Sequence, residues 1–257
     1  MNAAGIIPTD DVVRVDNAAA ASRVVLICEH ASHFIPARFN GLGLSDQDRK
    51  SHAAWDPGAL AVALHLSSAL DAKLVSSRVS RLVYDCNRPP DVPDATPARS
   101  EVVAVPGNVG LDAAAKADRV ASYYQPFQQA VAKAIAATTD PILVTVHSFT
   151  PIYHGQKRDV EIGVLHDTDR RLADVLLTLA PDHTNMKVLR NQPYGPEHGV
   201  THTLKEHGLP GHHPNVMLEI RNDLIATQAQ QAQVSAMLAG WLAAAQTQIK
   251  STGAFQC

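Results

Sequence analysis

At 257 residues the chain is long enough for one large α/β domain, and no stretch of it reads as a linker between two cores. The apolar share of 46% with only 5% aromatics suits buried parallel strands under Ala-rich helices. With 22 basic against 25 acidic residues, the net charge of -3 excludes an electrostatic footprint for nucleic acid or an anionic membrane, which leaves a small molecule as the expected partner.

Residues 1–22 are polar and Ala-rich without periodicity and read as an N-terminal extension to a catalytic domain over 23–257. Asp10 and Asp11 stand where a signal peptide needs a basic and then an apolar stretch, and no apolar run approaches membrane-spanning length, so a cytoplasmic protein is expected. Cys28, Cys86 and Cys257 are odd in number and widely spaced, which argues against a disulfide framework. The first strand is VVLIC, Val24 to Cys28. Asp56-Pro57 offers an N-cap and a first-turn proline for a helix ending near Asp71. Strands follow at Lys73 to Ser77 and Leu82 to Asp85. Pro89 to Gly110, with five prolines, reads as a long ordered loop over the sheet edge. A helix from Asp112 to Thr138 leads to a strand at Ile142 to Val146. Further strands fit Glu161 to Leu165, Lys187 to Leu189 and Val216 to Ile220, with helices at Asp169 to Leu179 and Thr227 to Lys250. Strands alternating with helices predict a mostly parallel sheet covered on both faces, with ligands at the carboxyl ends of its strands.

Several apolar strands run into the same kinds of residue. VVLIC ends on Glu29-His30, ILVTV on His147-Ser148, and VMLEI carries Glu219. Two histidines and one carboxylate meet what zinc requires of a catalytic site. Hydrolysis of an amide also needs a group that removes a proton from water and returns one to the amine, and Glu219 is a candidate; pairing with Arg221 is the other reading of it. In SRLVYDCNRPP, Arg81, Asp85, Asn87 and Arg88 surround a short strand end. An arginine fork there suits an anionic substrate, while an Arg81–Asp85 pair would only pin the loop. The histidines of HGVTH (His198 to His202) and GHHP (Gly211 to Pro214) read as loop or lid residues. Neither GxGxxG nor GxxxxGK[ST] follows a strand, which weakens a nucleotide-binding reading; a non-catalytic metal or small-molecule binder is the stronger alternative.

The blocks CEHASHFIP (Cys28 to Pro36), HAAWDPGA (His52 to Ala59), SRLVYDCNRP (Ser80 to Pro89), VHSF (Val146 to Phe149) and LEIRNDLI (Leu218 to Ile225) resemble, in order and spacing, those of N-formylglutamate amidohydrolases. The resemblance spans about residues 23 to 245. It implies a three-layer α/β/α fold with a mixed, mostly parallel sheet, similar to the zinc carboxypeptidases. It implies one zinc ion held by His30 and His147, Glu219 as general base and then acid, Asn87 and Arg88 on a substrate carboxylate with Ser148 beside them, and Arg81 on the oxyanion. Formate and glutamate are the implied products. Carboxypeptidases place a glutamate three residues after the first histidine; here that position is His33. The third ligand is therefore assigned to Asp56, with Glu29 as the second choice.

Overall fold

In the computed structural model, which describes residues 12–253, the apolar runs assemble into one seven-stranded sheet. Asp10, Asp11 and Cys257 lie outside the described residues. In chain order the strands are β1 (Val13–Asp16), β2 (Val24–Cys28), β3 (Lys73–Ser77), β4 (Arg99–Ser100), β5 (Val103–Ala104), β6 (Ile142–Phe149), β7 (Ile152–Tyr153), β8 (Gln156–Lys157), β9 (Ile162–Leu165), β10 (Val188–Arg190) and β11 (Asn215–Arg221). The main sheet runs β1-β3-β2-β6-β11-β9-β10; β4 with β5 and β7 with β8 form two small hairpins. The four central strands are mutually parallel, β1 is antiparallel to β3, and β9 is antiparallel to β11. The sheet is thus mixed and mostly parallel.

The helices are α1 (Asp46–Lys50), α2 (Ala59–Leu70), α3 (Ala113–Arg119), α4 (Gln125–Ala136), α5 (Arg171–His183) and α6 (Gln228–Gly253). Strand side chains alternate between faces, so Val24, Leu26 and Cys28 join Val144, Val146 and Leu218 under α2, α5 and α6. Val25, Ile27, Val75 and Leu143 point the other way and pack on Phe127 and Val131 of α4. Both sheet faces are covered, which explains why the central strands read as unbroken apolar runs. Fully buried Trp241 of α6 donates Nε1–H to the Leu176 carbonyl at 2.9 Å and so pins α6 to α5. Among the described residues, no helix is long and apolar enough to cross a membrane.

Four local expectations change. Val13–Asp16, inside the stretch read as an aperiodic extension, pairs with β3 as an edge strand. Leu82 to Asp85 is not a strand: Val83 and Tyr84 both donate N–H to the Ser80 carbonyl in tight turns. Its apolar residues are buried against the sheet face, and a short apolar run does not distinguish that from ladder pairing. The helix expected over Asp112 to Thr138 contains a π turn, Val120–Tyr124, just before Pro126. Proline has no N–H to donate and its ring crowds the carbonyl four residues back, so the widened turn accommodates it.

The fourth correction bears on the site. Asp56 does not cap α2; Gly58 does, at φ 84. A Cβ there would stand 2.7 Å from the Ile225 carbonyl oxygen, so both conformation and space require glycine. The turn through Gly58 starts the helix two residues later than the sequence suggests and leaves the Asp56 carboxylate free to turn inward.

Candidate active site

The carboxyl ends of β2, β6 and β11 lie side by side, and the polar residues there follow from register. Glu219 is the lateral neighbour of His147, and Ile27 that of Thr145, so Glu29 continues β2 toward His147 on the same sheet face. All three, with His30 and Asp56, are buried. His147 lies inside β6 rather than after it, because the strand runs on to Phe149.

Asp56 sits between the two histidines. Its Oδ2 is 3.2 Å from His30 Nδ1 and 2.9 Å from His147 Nδ1, and it also accepts the Ser148 N–H at 3.3 Å. The Ser148 hydroxyl donates to the Pro57 carbonyl at 2.8 Å, which ties the Asp56 turn to β6. The outer nitrogens face other carboxylates: His30 Nε2 is 2.8 Å from Asp85 Oδ1, and His147 Nε2 is 3.0 Å from Glu29 Oε2. The second of these contacts is at ion-pair distance without hydrogen-bond alignment. Asp85 thus engages His30 and not Arg81. Arg81 is held by the carbonyls of Ala53 (3.0 Å) and His52 (2.9 Å), with Nη1 left 3.3 Å from Asp56 Oδ1.

Burial opposes charge on both imidazoles, but for His30 Asp85 and then Asp56, and for His147 Glu29 and then Asp56, outweigh it and raise proton affinity above the ordinary value. Burial likewise opposes ionisation of Asp56, Asp85 and Glu29, and the same histidines prevail and hold the carboxyls below their usual range. Glu219 differs. Burial pushes its carboxyl up to about 7, with Asp56 adding to the rise, and its Oε2 is buried with no hydrogen-bond partner among the described residues. Its alternative partner Arg221 turns instead to Asp223, at 2.8 Å, and Glu161, at 3.6 Å.

One ligand atom from each of His30, Asp56 and His147 lies within 4.8 Å of the others, the only such group among the described residues. Two imidazole nitrogens and a carboxylate oxygen form a donor set suited to zinc. The inner nitrogens of both rings meet the same Asp56 oxygen, whose one lone-pair face cannot supply a proton to either. A divalent cation meets the lone pairs of both nitrogens instead, so the residues present fit a metal.

A cavity of about 300 Å³ opens onto this cluster. Arg81, Asn87, Arg88 and Ser148 line it, as do Arg99 and Glu101 of the long loop and Tyr194 opposite. Asn87 donates Nδ2–H to the Val200 carbonyl at 2.6 Å and accepts the Thr203 N–H at 3.0 Å, so it fastens that wall. Arg88 donates through Nη1 to the carbonyls of Gly199 (2.6 Å) and Asn87 (3.1 Å) and forms no ion pair among the described residues. Sequence reasoning did not reach Glu101, which is 2.6 Å from His52 Nε2 and accepts the His154 N–H at 3.1 Å, joining the β4–β5 and β7–β8 hairpins beside the cavity. A long Pro-rich loop was its only signal. His33 lies outside the site, exposed against Trp55. His198 reaches the cavity wall, whereas His202 packs on Tyr124 and His212 lies at a separate depression.

Three comparisons bear on this arrangement. No curated protein matches the chain. The crystal structure of gene product Atu2144 from Agrobacterium tumefaciens is similar at a TM-score of 0.90 with 52% identity, covering 93% of this chain and 96% of that one. The crystal structure of N-formylglutamate amidohydrolase from Ralstonia eutropha JMP134 is similar in fold at a TM-score of 0.63 with 17% identity, covering 89% and 97%. The family model for N-formylglutamate amidohydrolase matches residues 22–226, which contain every residue of the cluster, and the chain belongs to that family.

Proposed function

We propose that the protein is a zinc-dependent hydrolase of small N-acyl amino acids, with N-formylglutamate as the leading substrate. The observation that carries this reading is the convergence of two imidazole Nδ1 atoms on Asp56 beside Glu219, a buried carboxyl with one oxygen unpartnered among the described residues. His30, Asp56 and His147 would hold the ion, which when bound supplies Lewis-acid activation of the acyl carbonyl and of water.

The chain's own groups supply the remaining steps. Glu219 removes a proton from the attacking water and returns it to the departing nitrogen, giving a carboxylic acid and a free amino acid. A carboxyl raised by burial suits both halves of that transfer near neutral pH. Arg81, fixed by two backbone carbonyls, presents Nη1 toward the cluster to stabilise charge developing on the acyl oxygen. Arg88 receives the substrate carboxylate with the N–H groups that Gly199 and Asn87 leave free. Asn87 and Ser148 shape the cavity, and the second amide hydrogen of Asn87 remains for the same carboxylate. The test is release of formate or primary amine across N-formyl and N-acetyl amino acids, with and without added zinc. Zinc-dependent turnover fastest on acidic N-formyl amino acids is expected. A well-folded, zinc-loaded protein inactive on the whole panel would contradict the reading.

A further inference from the structure

A histidine that ligates a metal offers a lone pair on one ring nitrogen and keeps a proton on the other. In both candidate ligands the inner nitrogen is Nδ1, next to Asp56, and the outer nitrogen meets a separate buried carboxylate, Asp85 for His30 and Glu29 for His147. The two carboxylates come from unrelated parts of the chain, one at the end of β2 and one in the turns after β3. Each is nonetheless at 3.0 Å or less from its Nε2.

Among the described residues neither carboxylate forms an ion pair with a lysine or arginine, although the charges of Arg88 and Arg81 also act on Asp85. Glu29 is 1% exposed, and the polar side chains beside it are His147 and Thr203. A carboxylate buried at that depth is costly unless it accepts from a neighbour. Asp85 Oδ1 accepts the Asn87 N–H at 2.9 Å as well as facing His30, and the Asp85 N–H donates to the Ala95 carbonyl at 2.9 Å. The position of Asp85 is therefore set by the loop that also carries Asn87 and Arg88.

We propose that Glu29 and Asp85 are paired positioning residues that keep the proton of His147 and His30 on Nε2 and so aim both Nδ1 lone pairs at one ion. The assignment rests on the metal-dependent reading above and replaces the ligand role considered for Glu29 with an outer one. Each carboxylate fixes the tautomer and the ring rotation of its histidine, and loss of such outer partners lowers metal affinity about 10- to 100-fold.

The experiment measures zinc affinity by chelator competition for the wild type, Glu29→Gln and Asp85→Asn, three chains of nearly identical shape. Each variant is expected to bind zinc at least about 10-fold more weakly while keeping the one-to-one stoichiometry. Wild-type protein that binds zinc, together with variants within twofold of it, would overturn the proposal and leave the metal reading standing. Wild-type protein that binds no zinc would remove both. Should the variants fail to fold, nitrogen NMR of the zinc-loaded wild type decides: protons on Nε2 of both histidines are expected, and a proton on Nδ1 of either would overturn the proposal.

Discussion

Glu219 and Arg88 separate chemistry from binding at the level of single residues. Glu219→Gln keeps size and shape and leaves His30, Asp56 and His147 in place. Zinc content should be unchanged while kcat falls by about 10² to 10⁴, the usual contribution of general acid–base assistance. Near-wild-type kcat would remove Glu219 from the reaction, and loss of zinc would make it a ligand. Arg88→Ala should raise KM for acidic N-formyl amino acids far more than for neutral ones, because a charge-assisted contact contributes roughly 1.5 to 3 kcal/mol. Equal losses on both substrate types would show that Arg88 acts only through its tether to Gly199. His30, His147 and Glu219 were legible as polar residues at the ends of apolar strands, a local pattern. Asp56 was legible only through the family resemblance. What Asp85 and Glu29 touch was not legible, since those contacts span 55 and 118 residues of chain and exist only once strand register and the turns after β3 are formed.

At the scale of elements, the turn Leu204–Gly208 follows directly on Thr203, whose N–H Asn87 accepts. His207 of that turn is hydrogen-bonded through Nε2 to Gln128 of α4, and burial pushes it down to about 4 against the opposing charge of Glu206. Between its ordinary value of 6.5 and about 4 the unfolded chain binds a proton there and the folded chain does not, so stability is complete above this window and lost as pH falls through it. By pH 4 the wild type should have lost about 3 kcal/mol more than His207→Gln relative to pH 7, measured by urea unfolding. Parallel curves for the two proteins would show that His207 is protonated without cost. The central strands were legible because burial on both faces makes them continuous apolar runs. The edge strand β1 was not: at four residues, exposed at its middle, it carries too little pattern. The start of α2 was misplaced because Asp-Pro resembles a capped first turn, whereas the left-handed Gly58 sets the true one.

At the scale of the whole molecule, the parallel centre of the sheet brings the carboxyl ends of β2, β6 and β11 to one rim, and the loops after β2 and β3 deliver Asp56, Arg81 and Asp85 to it. The fold therefore gathers the candidate ligands from segments that lie far apart in the sequence, and the proposed function requires that they hold one ion. Isothermal titration of zinc into the stripped wild type and into His147→Ala tests this most directly. One ion per chain bound tightly by the wild type, and no tight binding by the variant, is the predicted result, because two remaining ligands do not retain zinc against solvent. Stoichiometric, undiminished binding by folded His147→Ala would contradict it.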